Sequence, residues 1–204
     1  MNAIGKVVAS LAGMGGIAGG GILTYKLVGT KPNTIAHHIK SEYLLTSTHE
    51  SQWTHRVELL KKANEDSIVS ELLSLKKLGT SLKVQDLKDW CSSTLKKEFR
   101  GGSDMSFLNV KLYCGINIGD KIVGTKVASG TDTGSSQLKT NVESLKGKTD
   151  EELGKELSEI KKKTNENTSW EGNKALKEWC LKTLDLAFEE GKIYDQATSY
   201  CVLK

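Results

Sequence analysis

One proline, four histidines and two arginines stand in a chain of 204 residues, and each scarcity removes a class of protein. So little proline excludes collagen-like and proline-rich disordered chains, while 37% hydrophobic and 26% charged residues make an ordinary globular composition. A surplus of positive charge is missing as well. The formal charge of +4 falls to +2 once residues 1–30, which carry Lys6 and Lys26 and no acid, are set aside. Nucleic-acid binding rests on clustered phosphate neutralisation, so no nucleic-acid partner is expected. There is no Cys-x2-Cys pair, and His37, His38, His49 and His55 all lie in the first third, so no zinc or other metal site is expected. No Gly-x4-Gly-Lys-Ser/Thr phosphate loop exists, no catalytic residue stands out, and no cofactor is implied.

What is present begins with Val7–Tyr25, 19 residues without a charge behind Lys6. At 1.5 Å per residue that length suits the ~30 Å hydrocarbon core of a bilayer. Glycines at 13, 15, 16, 19, 20 and 21 would weaken a helix in water but are tolerated in lipid, where unmade backbone hydrogen bonds are costly. Three readings compete for the segment: an uncleaved anchor, a secretory signal that is removed, and the first turn of a dinucleotide-binding fold. The last is suggested by Gly13-x-Gly15-x-x-Ala18 after a strand-like Val7–Ala12. It needs a βαβ unit next, whereas the chain runs into Lys31-Pro32-Asn33-Thr34 and a polar helical pattern. The expectation is a single-pass transmembrane helix at the amino terminus, within residues 1–30.

After Pro32 the chain is written twice. Leu87-Lys-Asp-Trp90-Cys91-Ser-Ser-Thr94-Leu95-Lys-Lys-Glu-Phe99 aligns with Leu176-Lys-Glu-Trp179-Cys180-Leu-Lys-Thr183-Leu184-Asp-Leu-Ala-Phe188, seven of 13 positions being identical. Average residue usage would give roughly one. Upstream, Thr46, Thr48, Ser51, Gln52 and Val57 match Thr131, Thr133, Ser136, Gln137 and Val142; downstream, Tyr113-Cys114 matches Tyr200-Cys201. Two modules follow, residues 31–115 and 116–204.

Apolar residues in each module recur at three and four, which predicts helices. Leu176, Trp179, Cys180, Thr183, Leu184, Ala187 and Phe188 fall on one face of about three turns. Thr149-Asp-Glu-Glu152 is a capping box that opens a helix fading near Lys163, and Ser169 or Asn173 opens the next. Gly101-Gly102 and Gly191 stand where helix ends often use left-handed residues. The fold expected is mainly α, with at most a small strand element. Lys161-Lys-Lys163 reads as a solvated helix end, and the histidines as exposed or half-buried polar groups. Asn167-Thr-Ser169 is formally a glycosylation acceptor.

Each module holds two cysteines, Cys91 with Cys114 and Cys180 with Cys201. Four cysteines allow three connectivities, and duplication favours pairing within a module, since an ancestral unit had to satisfy its own pair. Four buried thiols beside Trp90 and Trp179 are the other reading. If the disulfides form, the body lies on the oxidising, outer side of the membrane.

A short Gly-rich uncharged segment, an Ile35-x3-Ile39 element, Leu44-Leu45-Thr46, a Trp-led helix at Trp53, a Leu-Lys-x-x-Cys helix and an aromatic-Cys element, with repetition, resemble the paralogous uncharacterised proteins of haemotropic mycoplasmas. The resemblance spans nearly the whole chain and rests on Leu87, Cys91, Tyr113, Cys114, Leu176, Cys180, Tyr200 and Cys201. Members usually carry Trp before the second Cys of each module, where this chain has Tyr113 and Tyr200, and Leu138 stands where the first module has Trp53. The resemblance implies a surface protein of a wall-less blood-cell parasite, with a host-cell surface protein as partner or an antigenic role, and no established activity. A membrane-anchored interaction protein with an extracellular body is therefore the expectation. A membrane-tethered enzyme with a site assembled from scattered residues and a secreted binding module are the alternatives.

Overall fold

Apolar side chains at three- and four-residue spacing go to the inside. Trp53, Val57 and Leu60 are buried in α1 (Glu50–Lys62), and Leu87, Trp90, Cys91 and Thr94 in α3 (Val84–Thr94). The computed structural model describes residues 33–163 and 170–204; the run Val7–Tyr25 and the Asn167-Thr-Ser169 acceptor lie outside them. Among the described residues there are nine α-helices and four 3-10 turns, the turns all preceding α3, and the only extended pairing is four isolated bridges. No helix among the described residues is long and apolar enough to cross a membrane.

The first module contains α1, α2 (Ser70–Lys76), α3 and α4 (Met105–Tyr113). The second contains α5 (Ile118–Lys121), α6 (Ser136–Lys146), α7 (Asp150–Lys161), α8 (Glu171–Leu184) and α9 (Lys192–Tyr200). Each has its own apolar cluster. One gathers Ile35, Trp53, Leu60, Leu72, Trp90 and Val110; the other gathers Ile118, Leu138, Leu145, Leu157, Trp179 and Ala197. Leu138, at the place of Trp53, is fully buried, so the substitution keeps the position apolar.

Backbone hydrogen bonds fix the correspondence residue by residue. Thr34 bridges Glu98 in one module and Asn117 bridges Ala187 in the other. The amides of Ile35 and Ile118 donate to the carbonyls of Lys97 and Leu186 at 3.0 and 2.9 Å. Farther along, the amides of Leu45 and Val127 donate to Cys114 and Cys201 at 2.9 and 2.8 Å. Helix α1 thus matches α6, α3 matches α8 and α4 matches α9. Side chains repeat too. Asn109 of α4 donates to the Ser67 carbonyl, and Gln196 of α9 to the carbonyls of Glu152 and Leu153. Lys76 and Lys161 each reach back to a carbonyl, that of Ala63 and of Lys148.

Three expectations shift. Helix α8 stops at Leu184, so Ala187 and Phe188 continue the apolar spacing without continuing the helix; Phe188 is instead held by its amide bond to the Ile116 carbonyl at 2.8 Å. Gly101 and Gly191, with φ of 120° and 134°, stand in the turns leading into α4 and α9 rather than at the ends of α3 and α8. Gly154, with φ of 73°, breaks α7 in two, so that its second half corresponds to α2.

Candidate functional site at the module junction

Arg56 is where the two copies part company. Its place in α1 corresponds to Asn141 in α6, and both side chains are buried. Each donates to the carbonyl after the second cysteine of its module: Arg56 Nε and Nη2 to Gly115 at 3.3 and 3.2 Å, Asn141 Nδ2 to Val202 at 2.8 Å. An amide suffices for that task. The guanidinium extends further and pairs through Nη2 with Asp120 Oδ2 on α5 of the second module. Asp120 is itself positioned by accepting the Asn117 amide at 2.8 Å. Burial pushes the Arg56 pKa down, and the neighbouring Asp120 carboxylate offsets part of that shift.

A cleft of about 590 Å³ opens beside this pair, with His55, Lys62, Lys126 and Asp185 in its wall. His55 Nε2 lies 2.7 Å from Asp185 Oδ1, again across the modules. The Lys126 ammonium is occupied by the Gly119 carbonyl at 2.8 Å. Arg56 Nη1 and Asn117 Oδ1 are buried without a hydrogen-bond partner among the described residues. A second cleft, also about 590 Å³, includes Tyr43, Phe107, Lys111, Phe188 and Glu189. Here the Tyr43 and Phe188 rings meet edge to face at 5.0 Å and Lys111 pairs with Glu189. Between the modules Ile116 serves both: its amide donates to Tyr43 and its carbonyl accepts from Phe188, each at 2.8 Å.

Chemically, the junction holds charges in place. His55 with Asp185 has the form of a base and its orienting carboxylate, and among the described residues no hydroxyl or thiol is hydrogen-bonded to that imidazole. Groups of three or more His, Cys, Asp or Glu arranged for a metal ion are absent among the described residues. The histidines do not converge: His37 bonds Thr34, His38 bonds Asn33, His49 bonds Thr46 and His55 bonds Asp185.

All four cysteines are in disulfides, Cys91–Cys114 and Cys180–Cys201, with Cα separations of 5.7 and 5.4 Å. Each ties the Trp-Cys helix to the residue that ends the returning helix, α3 to α4 and α8 to α9. Val7 and Tyr25, the ends of the expected anchor, lie outside the described residues. Sequence reasoning did not single out Arg56 or Asp120. The signal was there: one of only two arginines falls between Trp53, Val57 and Leu60 on the apolar face of α1, where a charge needs a buried partner. The chain matches no family model, no curated protein and no solved structure, so a functional reading rests on its own side chains.

Proposed function

We propose that this chain is an interaction protein of a cell surface: residues 7–25 hold it in the membrane as an uncleaved single pass, and the stapled double module is displayed outside, where it meets a host-cell surface protein or acts as an antigen. The observation that carries the reading is the pair of buried disulfides at equivalent places in two copies. Disulfides persist in oxidising compartments, and each closes a small unit that has a modest core of its own. The pattern of difference between copies supports it further. Groups that build the fold repeat, whereas the four histidines do not, which suits divergent surfaces on a common frame better than a shared reaction.

Protease shaving of intact cells followed by mass spectrometry tests this directly. Peptides from residues 33–204 are expected in the released fraction, with Cys91–Cys114 and Cys180–Cys201 recovered as cross-linked pairs before reduction. Release only after lysis would reverse the orientation. A mature chain that starts near Lys26 and stays in the aqueous phase of a detergent partition would replace the anchor with a cleaved signal.

A further inference from the structure

The face by which the second module receives the first is acidic. Residues 116–121 and 181–191 carry the four acids Asp120, Asp185, Glu189 and Glu190 against two lysines, a formal −2. Three of those acids meet Arg56, His55 and Lys111 of the first module. The paired bridges identify the same face on the first module as residues 33–38 and 92–102. There the charge is reversed. His37 stands at the place of Asp120, Lys96 at that of Asp185 and Arg100 at that of Glu189. These stretches hold three bases against the single acid Glu98, a formal +2 with two histidines beside it.

That basic face is uncovered in the described structure: His37, His38, Lys96 and Arg100 are all exposed. Lys97 is taken by Glu71 at 2.7 Å, but neither Lys96 nor Arg100 has a salt-bridge partner among the described residues. Its floor is ordered, since the His38 ring stacks on Phe99 at 3.6 Å and the Phe99 amide donates to the Asn33 carbonyl at 2.8 Å. Asn33 is also where the described chain begins. Only residues 26–32 separate it from the uncharged run, and they add Lys26 and Lys31 without an acid.

We propose that this face of the first module docks on anionic lipid headgroups of the bilayer that holds residues 7–25; the inference rests on the anchor reading. A surface placed close to a bilayer by its own tether gains from every unpaired Lys or Arg it turns toward anionic lipid. A second copy of the chain is a poor occupant. The surface of the second module that corresponds to the Arg56 side offers Thr140, Asn141 and Thr198 in place of His55, Arg56 and Lys111, none of them an acid that could pair with Lys96 or Arg100.

The full chain, reconstituted into phosphatidylcholine vesicles with or without phosphatidylglycerol, is treated with an amine-acetylating reagent and the modification of Lys96 and Lys174 is read by mass spectrometry. Phosphatidylglycerol is expected to slow acetylation of Lys96 about 5-fold at low salt. Exposed Lys174 of the second module is expected to be unaffected, and Arg100→Glu to return Lys96 to its rate in pure phosphatidylcholine. Equal Lys96 rates in both vesicles, with the chain retained after a carbonate wash, would overturn the docking and leave the anchor standing. A chain that carbonate strips from the vesicles refutes the anchor instead. Rebinding of that stripped chain to phosphatidylglycerol vesicles, lost in Arg100→Glu, would still support the face, and no rebinding would overturn it. Protection of Lys96 by soluble polyglutamate but not by anionic lipid would assign the face to an acidic protein and overturn the proposal.

Discussion

Arg56 turns a repeated fold into a joined one, because its reach beyond the Gly115 carbonyl to Asp120 is what Asn141 lacks. Its guanidinium is 0% exposed at the side chain and its partner Asp120 17%, so the pair is held in low dielectric and the loss of one member leaves a buried charge. Asp120→Ala is expected to destabilise the chain by about 3–5 kcal/mol in urea unfolding. Arg56→Met combined with Asp120→Asn removes both charges and should recover most of that loss, since an uncharged buried pair has no desolvation penalty to offset. A double variant no more stable than Asp120→Ala would mean that the Arg56 hydrogen bonds to the Gly115 carbonyl, lost with the guanidinium, matter as much as the unpaired charge. Tryptophan supplies the second residue-scale test. Trp90 and Trp179 are each 7% exposed, and truncating either to alanine is expected to cost about 3–5 kcal/mol in thermal or urea melts. Losses below ~1 kcal/mol in both would turn this repeated face into a binding surface.

Helix α7 shows what a start signal sets and what a glycine undoes. The Glu152 amide donates to Thr149 Oγ1 at 3.2 Å and the Thr149 amide donates to Glu152 Oε2 at 2.8 Å. That backbone hydrogen bond, helped by Lys148, holds the Glu152 carboxyl at about 2, well below its ordinary 4.5. A carboxyl depressed by folding stabilises fully above its unfolded pKa, and the contribution is lost as pH falls toward 2. Thermal melts from pH 6 to pH 2 should therefore show a shallower acid fall in Glu152→Gln than in the unaltered chain; identical slopes would remove the box from the acid response. This box was legible as Thr149-x-x-Glu152, and so were the repeat, the helical spacing and the cysteine pairs as candidates. Gly154 was not, because a glycine within helical spacing gives no sign that the backbone will turn to positive φ there. The end of α8 was hidden for a related reason: Ala187 and Phe188 keep the spacing of three and four, yet their place is decided by pairing with Asn117 and Ile116, about 70 residues earlier. The junction site was the least legible, since it is built from α1 and α5 of different modules and neither Arg56 nor Asp120 belongs to a motif.

At the largest scale the described residues form two cores, each closed by a disulfide, and a junction made of two ion pairs, an imidazole–carboxylate contact, an aromatic edge and the shared residue Ile116. The bridged cysteines are 23 and 21 residues apart, so each staple is worth roughly 3 kcal/mol through the loop entropy it removes from the unfolded chain. Whether that stabilisation stays in one module depends on the junction. With the junction intact, unfolding of one module exposes Ile116, Tyr43 and Phe188 together, so the pair is expected to unfold as one unit. Replacing Cys91 and Cys114 by alanine should therefore lower the urea midpoint seen by Trp53 and Trp90 and that seen by Trp170 and Trp179 by the same amount, each read in chains where the other module's tryptophans are phenylalanine. Adding Asp120→Ala and Glu189→Ala should uncouple them, so that the same cysteine change moves only the first-module signal. Separate midpoints in the chain with its junction unaltered would mean that Arg56–Asp120 and Lys111–Glu189 position the modules without coupling their stability.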